Sequence, residues 1–412
     1  MRILIVSQYF WPENFRINDL TDELSRRGHE VTVLTGEPNY PEGRIFPDFC
    51  SNRKAYRCFG DATVIRVPIV PRGNTSLRLV FNYLSFALSA SILGPLRLRG
   101  RRFDAIFVFQ TSPITAALPA ILLRRIKRAP MLMWILDLWP DTLSAIGVVK
   151  SPRLLRLVAH LVCFVYKRCD RILLQSRAFS PKVTSLVGGS EALRYFPGWA
   201  EAVFDRGDIP VAMPPELVPY ADDFKILFAG NIGEAQDFPA ILNAVEALRD
   251  TPRLRWIIVG DGRAAPHVHE EVKRRGLGDK IIFLGRYPLE RMPSFLNSAD
   301  ALLVSLRKEP IWSMTIPGKV QAYLTTGKPL LAMLDGEGGR VVAEAEAGLV
   351  GPAGDSAALS ANVLRLMKSD TETRRRMGRN GQRYGKREFD RERLVDALEG
   401  WIEECREDQH HS

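Results

Sequence analysis

The sequence predicts an α/β protein with two doubly wound domains facing a cleft. Short continuous apolar runs alternate with amphipathic helical segments, a pattern typical of parallel strands covered by helices. The alternation pauses once, in a proline-rich stretch over 208–219, and then starts again. With 412 residues, 46% of them apolar, the chain can bury two cores, which excludes a disordered or fibrous protein.

The first predicted domain covers 1–205. It opens with a strand (RILIVSQYF), an amphipathic helix over 18–28 that places Leu20 and Leu24 on one face, and a second strand (EVTVLTG). Further strands are predicted at ATVIRVPIV, FDAIFVF, MLMWILDL and RILLQS.

The second predicted domain covers 206–387, and we expect the last helix, over 388–412, to pack back on the first domain. Its strands are predicted at KILFAGN, LRWIIVGDG, KIIFLGR, ALLVSL and PLLAML. The four prolines of 208–219 exclude a helix interior and a central strand, so this stretch is the predicted linker. Because ligands of such sheets bind outside the carboxyl ends of the strands, the loops there should hold the chemistry.

The formal charge of +10 is concentrated in one block. Residues 51–200 hold 23 Lys and Arg against 6 Asp and Glu, so the rest of the chain is slightly acidic. The five cysteines are odd in number and form no CxxC pair, which favours a reduced, cytoplasmic compartment. No run of about 18 uninterrupted apolar residues occurs, so we expect any membrane contact to be peripheral.

The loop after KILFA suits a phosphate. After the first strand, QYFWPENFR replaces the dinucleotide fingerprint GxGxxG, and no Walker sequence is present, which disfavours nicotinamide, flavin and P-loop enzymes. In FAGNIGEAQDF, Gly230 and Gly233 permit a close backbone approach between a strand and a helix, where N–H groups favour an anion. The alternative is a plain strand-to-helix turn.

Lys319 stands in the first turn of the helix that begins in TIPGKVQAYLTTGKPLLA. A cation there opposes the helix dipole by about 0.3–1 kcal/mol, unless an anionic ligand binds at the same place. A solvated surface lysine is the alternative.

Six segments, taken in order, resemble the family 4 glycosyltransferases of the GT-B fold. They are RGHEVTVLTG (27–36), FAGNIGEAQ (228–236), a VGDG turn, FLGR (283–286), SADALLVSL (298–306) and PGKVQAYLTTGKPLLA (317–332). LDLWPD (136–141) and YFPGWAE (195–201) are similar to the branch that builds bacterial O-antigen, capsular and colanic-acid-type polysaccharides. The resemblance implies transfer of a sugar from a UDP-linked donor to a polyprenyl-pyrophosphate-linked saccharide, with retention of configuration more typical of the family and inversion as the alternative. No metal or other cofactor is expected, because no DxD-like carboxylate cluster occurs.

The sequence departs from the family at four charged positions. The Arg and Lys that commonly contact the donor diphosphate are replaced by Asn231 and Gln236, and the paired glutamates fall on Met314 and Ala322. Lys319 remains as the cation for the diphosphate, with Arg286 and Arg340 as helpers. The predicted donor-binding residues are Gly230, Asn231, Gly233, Glu234, Gln236, Arg286 and Lys319, of which Glu234 is expected to face the sugar hydroxyls.

Two carboxylates at strand ends of the first domain are the candidate catalytic bases. They are Asp137 in LDLWPD and Glu13 in WPENFR, with Asp141 as a third candidate. A loop-ordering carboxylate is the alternative for Asp137. His29 precedes a strand on the side away from the cleft, and we interpret it as structural.

The basic block predicts attachment to the inner face of the bacterial inner membrane. Segment 76–102 combines large apolar residues with arginines, as do 122–128 and 151–168, and such segments suit an anionic membrane surface at about 1 kcal/mol per basic residue. A core helix with a solvated basic edge is the alternative. The arginines expected to meet the membrane or the acceptor are Arg78, Arg97, Arg99, Arg101 and Arg102.

Two other functions remain open. A UDP-sugar epimerase or hydrolase of the same fold would need no lipid acceptor. A nucleic-acid-binding protein would explain the charge, but no RNP, zinc-finger or helix-turn-helix signature is present, so nucleic acid is not an expected partner.

Overall fold

The computed structural model describes residues 1–73, 75–145, 149, 151–204 and 212–411. These residues form two compact units, one of Met1–Pro197 with Glu392–Ser412 and the other of Gly198–Arg391. We call them the first and second units. The division after Pro197 comes earlier in the chain than the predicted boundary at 205/206.

The predicted linker is a folded part of the second unit where it is described. Residues 208–211 lie outside the described residues, but Pro215–Tyr220 form a 3-10 helix. Leu217 of this helix is fully buried in a core of the second unit. This apolar anchor explains why the proline-rich stretch is held against the fold.

Among the described residues, the first unit has an eight-stranded sheet in the order β3-β4-β2-β1-β5-β6-β7-β8, parallel except for the β3–β4 pair. Its strands are β1 (Arg2–Val6), β2 (Glu30–Gly36), β3 (Cys58–Phe59), β4 (Ala62–Val67), β5 (Ala105–Gln110), β6 (Met131–Ile135), β7 (Arg171–Leu174) and β8 (Leu193–Tyr195). Its helices up to this point are α1 (Arg16–Arg26), α2 (Pro47–Ser51), α3 (Ser76–Arg97), α4 (Leu118–Lys127), α5 (Asp141–Ala145), α6 (Pro152–Tyr166) and α7 (Ser180–Val187).

The second unit has six parallel strands in its described part, in the order β11-β10-β9-β12-β13-β14. They are β9 (Phe224–Ala229), β10 (Leu254–Val259), β11 (Ile281–Gly285), β12 (Ala301–Ser305), β13 (Leu330–Met333) and β14 (Gly348–Gly351). Its helices are α8 (Phe238–Ala247), α9 (Ala265–Arg275), α10 (Met292–Asn297), α11 (Pro310–Ser313), α12 (Gly318–Thr325), α13 (Gly336–Glu344), α14 (Ser356–Lys368) and α15 (Thr371–Glu388).

The continuous apolar runs are buried parallel strands, as predicted. Every residue of β5, β6, β12 and β13 is buried, because helices cover both faces of each sheet. The strand order reverses between β1 and β5 in the first unit and between β9 and β12 in the second. The carboxyl ends of these strands are the positions where doubly wound sheets bind ligands.

The last helix, α16 (Arg391–His411), returns to the first unit. Its Trp401 ring packs against Phe196, with 5.9 Å between ring centres. Its Glu399 carboxylate accepts hydrogen bonds from Arg27 and contacts the His29 ring, whose Nδ1 lies 3.0 Å from the amino group of Met1. His29 therefore ties the first strand to the last helix, which is the structural role predicted for it.

Helix α3 is the described helix that bears on the membrane prediction. By length and composition alone its stretch Leu77–Arg97 could cross a bilayer, and most of it is not buried, while peripheral contact stays a prediction. The search for an uninterrupted apolar run missed it because arginine, asparagine, serine and proline interrupt the stretch. The inner face of α3 packs on the sheet through Phe86, Ala90 and Gly94, so the helix is held by the first unit along one side.

Candidate functional site

Two glycines bring the loops after β9 and β10 into backbone contact. Gly230 has φ +130° and Gly260 has φ +142°, conformations that side-chain-bearing residues rarely adopt. A Cβ on Gly260 would stand 1.9 Å from the Gly230 carbonyl oxygen, and one on Gly230 would stand 2.8 Å from Cε of Lys319. We call the loop 230–236 the glycine turn. Its backbone lies against the loop after β10 and against the Lys319 side chain.

Lys319, the second residue of α12, carries a buried ammonium group that forms no ion pair with the described residues. Its Nζ is inaccessible to solvent, has no hydrogen-bond partner among the described residues, and lies 3.4 Å from the centre of the Phe228 ring. Burial lowers the pKa of this ammonium group to about 7. The alternative of a solvated surface lysine was therefore wrong. An anion bound at the glycine turn and the start of α12 would compensate this charge.

Asn231, Gln236 and Glu234 lie on the same turn but differ in what they contact. Oε1 of Gln236 accepts a hydrogen bond from the Gly233 N–H at 3.1 Å, and its carbonyl accepts one from Ser305 at 2.7 Å. Gln236 therefore orders the loop. Asn231 and Glu234 are exposed, and Glu234 lies at the rim of a pocket of about 480 Å³. Their contacts with a donor stay predictions.

The two helper arginines are differently placed. Arg286 follows β11 at the same sheet edge and forms an ion pair of 3.4 Å with Asp261 in the loop after β10. Arg340 instead binds Glu337 and Glu344 on its own helix α13, and the hydrogen bond with Glu337 raises its pKa. Because both of these ion pairs lie within α13, the structure does not support Arg340 as a helper for the donor diphosphate.

Asp137 is a mostly buried carboxyl group at the carboxyl end of β6. Burial raises its pKa to about 7, and no residue in the described part of the chain donates a hydrogen bond to it. Its charge acts on Tyr83 and Tyr166, which lie nearby. A loop-ordering carboxylate would accept backbone hydrogen bonds, so this alternative is contradicted. A carboxyl group with a pKa near 7 can both take up and release a proton at neutral pH.

Glu13 has the loop-ordering role instead. It is 2% exposed, and its two oxygens accept hydrogen bonds from the N–H groups of Phe10 (3.1 Å), Asn39 (2.8 Å) and Tyr40 (2.7 Å). Burial raises its pKa to about 7, although these N–H groups act to lower it. Glu13 holds the loop after β1 against the loop after β2, and catalysis by it stays a prediction. Asp141 pairs with Lys182.

Three polar side chains at the carboxyl edge of the first unit's sheet were not predicted as site residues from the sequence. Oε1 of Gln8, Oε1 of Gln110 and Nε1 of Trp139 are buried without a hydrogen-bond partner in the described part of the chain. They follow or end β1, β5 and β6. The available signal was a glutamine that closes an apolar strand, in ILIVSQ and AIFVFQ.

The first unit also places Arg72 at this edge, with its guanidinium carbon 5.3 Å from the centre of the Tyr40 ring. Of the arginines predicted to meet the membrane or the acceptor, Arg78 lies near this edge, since a Cβ on Gly73, next to Arg72, would stand 2.5 Å from Cδ of Arg78. Arg78 is in the first turn of α3, and the other four lie at or beyond its C-terminal end. No group of three or more His, Cys, Asp or Glu in the described residues could hold a metal ion, and metal-independent transfer stays a prediction.

Comparisons with known proteins agree with this architecture. The family model described as group 1 glycosyl transferases matches residues 212–384, and the one described as glycosyl transferase 4-like domain matches 14–199. The chain is 28% identical over 340 residues to the putative colanic acid biosynthesis glycosyl transferase WcaI of Escherichia coli strain K12, covering 79% of this chain and 82% of WcaI. It is 26% identical over 391 residues to the 2-deoxystreptamine N-acetyl-D-glucosaminyltransferase of Streptomyces fradiae, covering 87% of each.

Among solved structures, HepE of Anabaena in complex with UDP superposes with a TM-score of 0.70 at 14% sequence identity, covering 98% of this chain and all of HepE. At that identity the likeness concerns the fold. The two family models together span both units, and the chain therefore belongs to the family 4 glycosyltransferases of the GT-B fold.

Proposed function

We propose that this glycosyltransferase moves a sugar from a UDP-linked donor to a polyprenyl-pyrophosphate-linked saccharide, in the synthesis of a bacterial cell-surface polysaccharide. The observation that carries the donor half is the buried ammonium group of Lys319 at the glycine turn, which no carboxylate in the described part of the chain pairs with. The likeness to WcaI, named for colanic acid biosynthesis, supports the polysaccharide context. The HepE structure, which holds UDP, supports the choice of nucleotide.

On the donor side, the task is to stabilise the leaving diphosphate. When the bond between the anomeric carbon and the phosphate oxygen breaks, negative charge grows on that oxygen. Lys319 and the N–H groups of the glycine turn are held in place before the reaction, so they stabilise this charge without reorganising. The N-terminus of α12 adds a favourable dipole.

On the acceptor side, Asp137 is the proposed general base. Its carboxylate form would take the proton of the attacking hydroxyl group as the new glycosidic bond forms. A pKa of about 7 suits that role at neutral pH, and no hydrogen bond from the described residues competes for its oxygens.

A thermal-shift panel tests the donor class. We expect UDP and UDP-sugars to raise the melting temperature of the protein, because a ligand at 100 times its Kd adds about 2.7 kcal/mol of stability. CDP, GDP and ADP at the same concentration serve as matched controls. An equal rise with all four nucleotides would contradict a UDP-specific site. Release of free sugar from the donor alone, without acceptor, would favour a hydrolase.

The outer face of α3 supports attachment to a membrane. Its exposed fractions reach 66% for Leu77, 64% for Leu88, 63% for Ile92 and 65% for Leu96. Further large apolar side chains are exposed on the neighbouring helices of the same unit: Leu122 and Ile126 on α4, and Leu154, Leu157 and Phe164 on α6. Transferring each such side chain from water to lipid is favourable by about 1.5–3 kcal/mol when burial is complete.

Basic residues follow this apolar face at the C-terminal end of α3. Arg97 donates to the Arg66 carbonyl and Arg101 donates to Thr32 Oγ1 at 3.3 Å, so both are partly occupied within the unit. Arg99 and Arg102 are exposed. We therefore assign Arg99 and Arg102 to the attraction of anionic lipid headgroups, and the apolar face of α3 to shallow insertion.

Vesicle flotation tests this surface. The double variant Leu88→Glu with Ile92→Glu should lose binding to vesicles with and without anionic lipid, because charged side chains cannot enter the apolar layer. Arg99→Gln with Arg102→Gln should weaken binding to anionic vesicles only. Val218→Glu, which alters an exposed apolar residue of the second unit, is the matched control and should bind normally. Unchanged flotation of both double variants would refute the proposed surface, and UDP affinity should be preserved throughout.

A further inference from the structure

The carboxyl edge of the first unit is a pre-formed polar network. Nε2 of Gln8 donates to Asn82 Oδ1 at 2.7 Å, and the Tyr9 hydroxyl donates to the same oxygen at 3.2 Å. Oδ1 of Asn39 accepts the Arg72 N–H at 2.9 Å. These bonds fix the loops after β1, β2 and β4 to α3. Side chains on this edge therefore have little freedom to rearrange around a ligand.

Within this ordered network, three buried polar atoms remain unpaired. Gln8, Gln110 and Trp139 are each more than nine-tenths buried, and they offer two carbonyl oxygens and one N–H without a partner in the described part of the chain. Leaving such groups unpaired costs free energy unless a ligand or water pairs with them. The Tyr83 ring lies near Trp139, with 6.2 Å between the ring centres. A saccharide fits this set of groups, because its hydroxyl groups can pair with the two amide oxygens and the indole N–H, and its faces can pack on the rings.

Arg72 is a cation at this edge. Its side chain is half-buried, its guanidinium lies over the Tyr40 ring, and it interacts with the Tyr9 hydroxyl. In the described residues no carboxylate forms an ion pair with it, whereas Arg66 nearby donates to the carbonyl oxygens of Gly36 and Trp11. The Tyr83 ring packs near Trp139, two residues after Asp137, and the charges of both Arg72 and Asp137 act on the pKa of the Tyr83 hydroxyl group.

We propose that Arg72 binds the phosphate that carries the acceptor saccharide, so that the enzyme selects saccharides linked to a phosphate or pyrophosphate. This inference rests on the proposed function, since it assigns the acceptor half of that reaction. A phosphate beside Arg72 would supply the missing counter-ion and accept two parallel hydrogen bonds from the N–H groups of the guanidinium. The saccharide would then lie toward Gln110, Trp139 and Asp137. The same loop leads into α3, whose apolar outer face suits the lipid tail.

Binding of farnesyl diphosphate in the presence of saturating UDP tests the proposal. UDP occupies the donor site, so the probe reports on the acceptor site. We expect Arg72→Ala to raise the Kd of farnesyl diphosphate about 10- to 100-fold, as loss of a charge-assisted hydrogen bond would. Arg72→Lys should recover part of the affinity, because it restores the charge without the paired donors. Arg53→Ala, an exposed arginine of the same unit that pairs with Glu37, should change the Kd less than twofold.

Two further ligands separate the phosphate from the tail. Farnesol should bind the wild type and Arg72→Ala equally, and inorganic pyrophosphate should lose affinity in Arg72→Ala as farnesyl diphosphate does. Equal farnesyl diphosphate affinity in wild type and Arg72→Ala, or no binding to the wild type, would overturn the proposal while UDP binding still supports the glycosyltransferase. Failure of the wild type to bind UDP would instead count against the proposed function itself.

Discussion

Replacing Lys319 by methionine is expected to weaken the binding of a UDP-sugar by about 100-fold and to raise the melting temperature of the ligand-free protein. The first effect is the loss of a charge-assisted hydrogen bond to the diphosphate, worth about 1.5–3 kcal/mol. The second arises because methionine fills a similar volume without a buried charge, and the Lys319 ammonium group has no hydrogen-bond partner in the described part of the chain. Calorimetric titration and thermal unfolding measure the two effects.

Lys225 is the matched control for the sign of the stability change. It is also buried, but its ammonium group donates to the carbonyl oxygens of Tyr220 (3.3 Å), Ala221 (3.1 Å) and Asp223 (2.7 Å). Lys225→Met should therefore lower the melting temperature and leave UDP-sugar affinity unchanged. If Lys319→Met bound the UDP-sugar as tightly as the wild type at pH 7, Lys319 would have no role in donor binding.

The lowered pKa of Lys319 also gives donor binding a pH dependence. The diphosphate requires the charged form, which is lost as pH rises through about 7 in the ligand-free protein. Affinity should therefore fall above pH 7, by at most about tenfold per pH unit, and Lys319→Met should show no such fall. For stability the sign is opposite. The unfolded chain holds this proton up to the ordinary lysine pKa, so the ligand-free wild type gains stability between pH 7 and that value.

Asp137→Asn is expected to lower turnover at least tenfold, and up to about 10⁴-fold, with little change in donor affinity. Asparagine keeps the shape of the side chain but cannot take a proton from the acceptor hydroxyl. In the wild type, kcat should rise with pH through about 7, because burial raises the pKa of this carboxyl group and only the carboxylate is a base. A radiolabelled transfer assay measures both.

Asp141→Asn is the matched control for Asp137→Asn. Asp141 is the first residue of α5, and its carboxylate is paired with Lys182 of α7, so its loss should affect stability more than turnover. Near-normal turnover of Asp137→Asn, or a kcat profile in that variant that still rises through pH 7, would show that another group is the base.

The strands and Lys319 could be predicted from the sequence because each depends on local information. Continuous apolar runs predict buried parallel strands, and a lysine in the first turn of a helix signals a conflict with the helix dipole. The ion pairs of Arg340 with Glu337 and Glu344 could also be predicted, since residues three and four apart on a helix are neighbours.

Other features depend on which residues meet in space, and one sequence does not contain that information. The unpaired Oε1 atoms of Gln8 and Gln110 come to the same sheet edge only because β1 and β5 lie side by side. The sequence indicates 76–102 as a membrane-facing segment, but apolar residues occupy both sides of α3, so only the packing of the helix shows which side is exposed. Similarly, the prolines after 213 are typical of a linker, and only the burial of Leu217 in the core of the second unit shows that this stretch is folded.

The return of α16 to the first unit has a consequence for the order in which the protein is made. The second unit is continuous in sequence from 198 to 391, so all of it has been synthesised before the ribosome adds the helix that carries Trp401. The first unit, although it contains the N-terminus, is the last to be completed. Until then the Phe196 ring and the Arg27 and His29 side chains lack their partners on α16. A released chain that ends at residue 391 should therefore contain a finished second unit and an unfinished first one.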